Sequence, residues 1–193
     1  MPFNKPKPPL NPDKAMLLYA LFRYEAQGEK ANPFVAGKIA WFLQAMGQDM
    51  KLNFLPHFFG PYSNSMAPLL YSLKGRYIKT FSFGETKAFE PLGLNYDKFE
   101  ELRNFLNTKI NKFEYARLRN LISLISGFES PAGLGLLASV DYLSLKENAI
   151  SAEDVYDKLQ SWSGQKAGMF KLPHVEAAWE RLEKYKPLLR TAE

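Results

Sequence analysis

Ser130–Leu145 reads SPAGLGLLASVDYLSL, and this stretch decides the class of fold. Serine followed by proline marks a helix start, because the hydroxyl caps a free amide and proline fits the first turn, where its missing N–H goes unused. The residues that follow are so apolar that the helix predicted through Leu145 belongs in a core. Gly133 and Gly135 sit inside this helix and are read as permitting close helix packing, not as a ligand loop. Downstream, Ser151 caps a helix on which Ala152, Val155, Tyr156, Leu159 and Trp162 share a face. A last helix after Pro173 aligns Val175, Ala178, Trp179, Leu182 and Tyr185. Upstream, Phe99, Leu102, Leu106 and Ile110, then Leu118, Leu121, Ile122 and Ile125, keep the helical period.

Towards the N-terminus, DKAMLLYALFRYEAQG from Asp13 is a buried helix closed by Gly28. Asn32 and Pro33 then cap and open another that runs to Met46 before Gly47. From Gln48 to Tyr62, two prolines and a glycine forbid a regular helix and leave an ordered, aromatic-rich connection. Ser63–Leu73 suits a short helix capped by Ser63 or Asn64. Arg76–Phe83 and Thr86–Leu92 are β-prone runs around Gly84–Glu85, a predicted hairpin. Together these N-terminal elements resemble a winged helix-turn-helix. The expected fold is mainly α (α+β): a multi-helix domain with a winged-helix-like N-terminal part carrying one small β-hairpin. Residues 1–12, rich in proline, read as a lead-in or linker, 13–92 as the winged-helix-like part and 93–193 as the helical part of one domain.

The chain has 193 residues and no cysteine, which removes disulfides, thiolate metal sites and cysteine nucleophiles. Its histidines, His57 and His174, are far apart and form no ligand pair. No apolar run is long enough to span a bilayer and no signal peptide is visible, so a cytoplasmic location is expected. The net charge of +5 is unevenly spread: residues 120–165 hold two basic side chains against six acidic ones. No phosphate-cradling glycine loop and no G-x-S-x-G elbow occurs. His57 has no visible partner for general-base work. The expected recognition helix, SNSMAPLLYSL, has no Arg or Lys, and Lys74, Arg76, Lys79 and Lys87 of the wing are a thin electrostatic footprint. Direct nucleic-acid binding is therefore not expected. Nor is a metal, a cofactor or an enzymatic activity.

Three stretches carry a family resemblance: VAGKIAWFLQAMGQDMKLNFLPHFFGPYSNSMAPLLYSLKGRYI (35–78), LISLISGFESPAGLGLLASVDYL (121–143) and QSWSGQKAGMFKLPHVEAAWERL (160–182). In order and spacing they resemble the C-terminal domain of DarG antitoxins, and the first is more distantly similar to SocA-like antitoxin domains. The resemblance implies a toxin–antitoxin system. DarT-type toxins use NAD to ADP-ribosylate thymidine in single-stranded DNA. DarG antitoxins remove the mark with a macro domain, which is not found in this chain, and block the toxin with the C-terminal domain. Gly135, the Asp141–Tyr142 pair and Gln165 depart from the family pattern.

A DarT-like toxin is accordingly the expected partner, held by protein–protein contact. A groove that binds single-stranded DNA uses positive charge and stacking. Glu129, Asp141, Glu147, Glu153, Asp154 and Asp157 would then stand in for phosphates, and Phe128, Tyr142 and Tyr156 for bases. The alternative, that these acids cap and solubilise helices, stands beside it. His57 and Tyr62, in LPHFFGPY, are further partner-facing candidates, although most rings of that segment are assigned to the core. A winged-helix DNA-binding regulator of a toxin operon is the alternative function, and an enzyme using His57 is the third.

Overall fold

The computed structural model describes residues 9–58, 60–81, 87–162 and 168–189. Helices dominate: α1 (Pro12–Glu25), α2 (Pro33–Ala45), α3 (Met66–Leu73), α4 (Phe99–Lys109), α5 (Lys112–Ile125), α6 (Pro131–Lys146), α7 (Ala152–Trp162) and α8 (Leu172–Tyr185). Two small antiparallel strand pairs complete the described residues: β1 (Leu55–His57) with β2 (Gly60–Tyr62), and β3 (Ile78–Thr80) with β4 (Gly93–Leu94). The fold is mainly α, as expected, with two small strand pairs where one hairpin was predicted; the second lies in the stretch read as an irregular connection. No helix among the described residues is long and apolar enough to cross a membrane.

The helix starts follow from local chemistry. Asn11 accepts the Lys14 amide before Pro12, Asn32 accepts the Val35 amide before Pro33, and Ser130 Oγ accepts the Gly133 amide before Pro131. Each cap satisfies an amide that the first turn leaves without a partner. Ser130→Ala should therefore destabilise the protein by about 1 kcal/mol, lowering its melting temperature by roughly 2–4 °C. An unchanged melting temperature would mean that this cap is replaced by solvent. Asn111 and Glu114 form a reciprocal capping box that starts α5 and divides it from α4.

Helix α6 is the centre of the molecule. Every residue from Leu134 to Leu143 is buried, and α2, α7, α8 and β2 all pack on it. Gly135 fills the expected role: a Cβ there would lie 2.9 Å from Phe34 Cζ, so the missing side chain lets the α2 ring lie against α6. Polar side chains tie the remaining helices together. The buried Gln48 donates to Asp13 at 2.7 Å and accepts from Arg117 at 3.1 Å, joining the ends of α1 and α2 to α5. Arg181 of α8 donates to the Leu124 carbonyl at 2.8 Å and to that of Ser126, satisfying the last carbonyls of α5.

Two details differ from expectation. The partner of β3 is Gly93–Leu94 and not Thr86–Leu92: Lys87–Glu90 is taken up by a turn, and the Leu92 amide instead reaches back to the Ala31 carbonyl at 2.7 Å. The Gly84–Glu85 turn, Gln165 and the first eight residues of the lead-in lie outside the described residues. Helix α3 begins at Met66 after Ser65, whose side chain makes no capping bond; Ser63 is used one turn earlier, accepting the Ser65 amide on its hydroxyl at 3.3 Å.

Candidate functional site

LPHFFGPY folds as the β1–β2 hairpin, with Leu55 opposite Tyr62, Pro56 opposite Pro61 and His57 opposite Gly60. Proline has no N–H to give to a ladder, so this pair is short. Its inner edge is clamped. Lys38 of α2, itself buried, donates from Nζ to the Pro61 carbonyl at 2.6 Å and stands 4.8 Å from the centre of the Phe34 ring. Gly60 adopts φ +93°, and a Cβ there would fall 2.6 Å from Ser139 Oγ and 3.5 Å from the Gly135 carbonyl oxygen. That hydroxyl has little freedom to retreat, because it donates to the Gly135 carbonyl at 2.7 Å.

The outer face is apolar and open. Leu55 is 50% exposed, Phe58 44% and Tyr62 41%. The His57 ring is also exposed, with its centre 5.1 Å from that of Tyr62 and 6.2 Å from that of Phe58. The expectation that most rings of this segment belong to the core is thus corrected at Phe58 and Tyr62. The physical reason is the hairpin itself, which turns Gly60 and Pro61 inward and leaves the side chains of β1 and Tyr62 outside. Solvent-facing aromatic clusters on a clamped backbone are uncommon in a surface that binds nothing. Gly60→Ala should cost on the order of 2–3 kcal/mol, from left-handed strain plus the clash, and lower the melting temperature by roughly 5–10 °C. A variant that melts like the native chain would show that the hairpin is not clamped as described.

Behind the hairpin runs an aromatic ladder: Phe54 to Trp41 at 5.2 Å, Trp41 to Tyr142 at 5.6 Å, and Tyr142 to Trp162 at 5.4 Å between ring centres. Trp41 Nε1 donates to Asp141 Oδ2 at 2.7 Å. Asp141 is only 3% exposed, and burial pushes its carboxyl up to about 7, with the Trp41 bond opposing that rise. This corrects the placing of Asp141 among partner-facing carboxylates, and Tyr142 is likewise buried between the two tryptophans.

The other predicted residues divide by position. Glu147, at the end of α6, and Glu153 and Asp157 on α7 are exposed. Asp154 is half-buried: it pairs with Lys158 and accepts the Ile150 amide at 3.1 Å, while Ser151 accepts the Asp154 amide at 3.2 Å. Both carboxyls of the first turn, Asp154 through the Lys158 bond and Glu153 through hydrogen bonding at the helix start, sit below the usual carboxylate range. Glu129 accepts the Gly127 amide at 2.8 Å, and Phe128 lies under the Arg181 guanidinium at 5.2 Å. Tyr156 is half-buried. The acids that stay open to solvent are therefore Glu147, Glu153 and Asp157, flanking Ile150, which is 84% exposed. The Leu55–Tyr62 segment was a sequence candidate with His57 and Tyr62 singled out; the exposure of Leu55 and Phe58 within it, and of Ile150 outside it, comes from the fold.

For catalysis, no hydroxyl or carboxylate bonds to His57 among the described residues, and His174 Nδ1 accepts the Lys171 amide at 3.3 Å. No group of three or more His, Asp or Glu side chains suited to a metal ion occurs among the described residues.

A DNA ADP-ribosyl glycohydrolase of Thermus aquaticus is 35% identical over 180 residues, 93% of this chain and 49% of that protein. The chain is similar in sequence to DNA ADP-ribosyl glycohydrolases. Proteins of that name from Mycobacterium bovis and Mycobacterium tuberculosis are 25% identical over 181 residues, 88% of this chain and 51% of each. No family model matches. The chain spans about half the length of the glycohydrolases it matches. Their name corrects the expectation that no enzymatic activity is involved: the relatives are named for a hydrolytic reaction, and the similarity to them runs over most of this chain.

Proposed function

We propose that this chain is the toxin-binding portion of a DarG-type protein, and that it blocks a DarT-like DNA ADP-ribosyltransferase through the outer face of the β1–β2 hairpin. The observation that carries this reading is the exposed cluster of Leu55, His57, Phe58 and Tyr62 on a backbone pinned by Lys38 and Gly60. Large rings held in place before binding lose little freedom on association, which is why such residues dominate interface energetics. The relationship to DNA ADP-ribosyl glycohydrolases supports the same setting, a protein concerned with ADP-ribose on DNA.

Glu147, Glu153 and Asp157 supply the electrostatic part of the proposal. A toxin groove made for phosphates attracts them, which raises the association rate more than it lengthens the complex's life. Replacing all three by Gln or Asn should weaken toxin binding by about tenfold at low salt and flatten its salt dependence. Stopped-flow association at two ionic strengths measures both. If rate and salt slope match those of the native chain, imitation of DNA by these acids is rejected.

The relatives' name favours a second reading, that the chain takes part in removing ADP-ribose from DNA. Incubating it with an ADP-ribosylated single strand and following release of ADP-ribose tests that directly. Release that depends on the chain establishes it, and a strand that stays modified rejects it.

A further inference from the structure

Exposed cations and a ring gather away from α3 and the segment that follows it. On α5, Lys112, Tyr115 and Arg119 lie at i, i+3 and i+7 and share the face opposite the buried Leu118, Leu121 and Ile125. Tyr115 is 55% exposed; Phe113, 64% exposed, lies on another side of α5, with Lys112 Nζ 5.1 Å from the centre of its ring. Lys109, three residues before Lys112 at the end of α4, is also exposed. The acid of this segment, Glu114, is committed: it accepts the Asn111 amide at 2.9 Å and the Gln48 amide group at 3.2 Å. Lys109, Lys112 and Arg119 enter no ion pair among the described residues.

The stripe leads into a cavity. Between the last turns of α1 and α5 lies a recess of about 160 Å³ with a mixed wall, where Arg23, Gln27, Ser123 and Glu129 stand beside Ile122 and Ile125. From Lys112 to Ser123 is about 16 Å along the helix axis, at ~1.5 Å per residue. Arg23 adds an exposed cation at the far end, also without an ion pair among the described residues.

We infer that the outer face of α5, from Lys109 and Lys112 through Tyr115 and Arg119 to the recess at Arg23, binds single-stranded nucleic acid. Cations outside any ion pair around an exposed ring are what a single strand needs, because phosphates take the charge and a base stacks on the ring face. A duplex, whose bases are stacked inward, gives Tyr115 nothing to hold. The recess, with amide, hydroxyl and carboxylate groups at its wall, suits the edge of one unstacked base, and Glu129 there matches a base amino group, not a phosphate. This surface is separate from the β1–β2 hairpin, so the inference does not rest on the toxin reading.

Fluorescence anisotropy of the full chain with fluorescein-labelled oligodeoxythymidine, at about 50 and 200 mM salt, tests it. The native chain should bind, with a slope of about −0.7 in log affinity against log salt for each phosphate engaged. Lys112→Glu with Arg119→Glu should weaken binding at least tenfold and flatten the slope by more than one unit. Tyr115→Ala should weaken it roughly fivefold and leave the slope unchanged. An oligouridine arm distinguishes RNA from DNA as the preferred strand, and either supports the inference. No binding at the lower salt overturns it, and so do affinities of the charge-reversed chain equal to the native ones or equal competition by duplex DNA. Unchanged circular dichroism of each variant shows that lost binding is not lost folding.

Discussion

Asp141→Asn should make the protein more stable than the native chain above neutral pH and leave the two nearly equal near pH 4. The Asp141 carboxyl titrates at about 7 in the fold because burial disfavours its charge, whereas in the unfolded chain it titrates near 4. The folded state therefore holds this proton more tightly. The stabilisation that the proton gives is fully present below about pH 4 and is lost as the pH rises through 7, by on the order of 4 kcal/mol in all. Asparagine keeps an acceptor for Trp41 Nε1 and has no charge to bury, so its curve lacks this fall. Glu101 acts in the opposite sense and lower down: hydrogen bonds led by that of the Tyr77 hydroxyl hold it at about 2, so it contributes stability that disappears as the pH drops below about 4. That contribution is common to both proteins and cancels in the difference. Urea denaturation of both chains from pH 4 to 8 provides the comparison, and parallel curves would show that Asp141 is ionised and satisfied in the fold.

Phe58→Ala with Tyr62→Ala should weaken binding of the DarT-like toxin by about 100-fold or more, while the melting temperature moves by only a few degrees. Both side chains are more than two-fifths exposed, so truncation leaves no cavity in the core; what is lost is the anchor surface. Such a loss falls mainly on the dissociation rate, in contrast to the loss on removing Glu147, Glu153 and Asp157. The two sets of variants therefore have different kinetic signatures. A double variant that binds at the native rate and affinity would move the interface away from this hairpin.

The helices were legible because their signals are local. Asn32–Pro33 and Ser130–Pro131 specify their own starts, and Gly28 and Gly47 adopt positive φ just past the helix ends they were assigned. The capping box at Asn111 and Glu114 was equally local, and went unread only because the apolar period runs on towards it through Ile110. The hairpin was not legible: Pro56 and Pro61 argue against strands, and what makes the pair stable is the approach of Lys38 and α6, from residues distant in sequence. The same holds for Asp141. An acid on a helix reads as surface, and only the arrival of Trp41, a hundred positions earlier, places it inside. Tertiary contacts thus decided which of the six candidate acids remain open and which rings of LPHFFGPY face solvent, while the sequence already held the helices, their caps and the stretches that carry the family resemblance.

The most direct test of the toxin-binding account is titration of the intact chain into the DarT-like toxin while ADP-ribosyl transfer to single-stranded DNA is followed. The account predicts that transfer falls to background as the chain reaches saturation, and that chain lacking the Phe58 and Tyr62 rings must be added at far higher concentration for the same effect. Transfer that continues undiminished at saturating chain, or inhibition that is indifferent to those two rings, would contradict it.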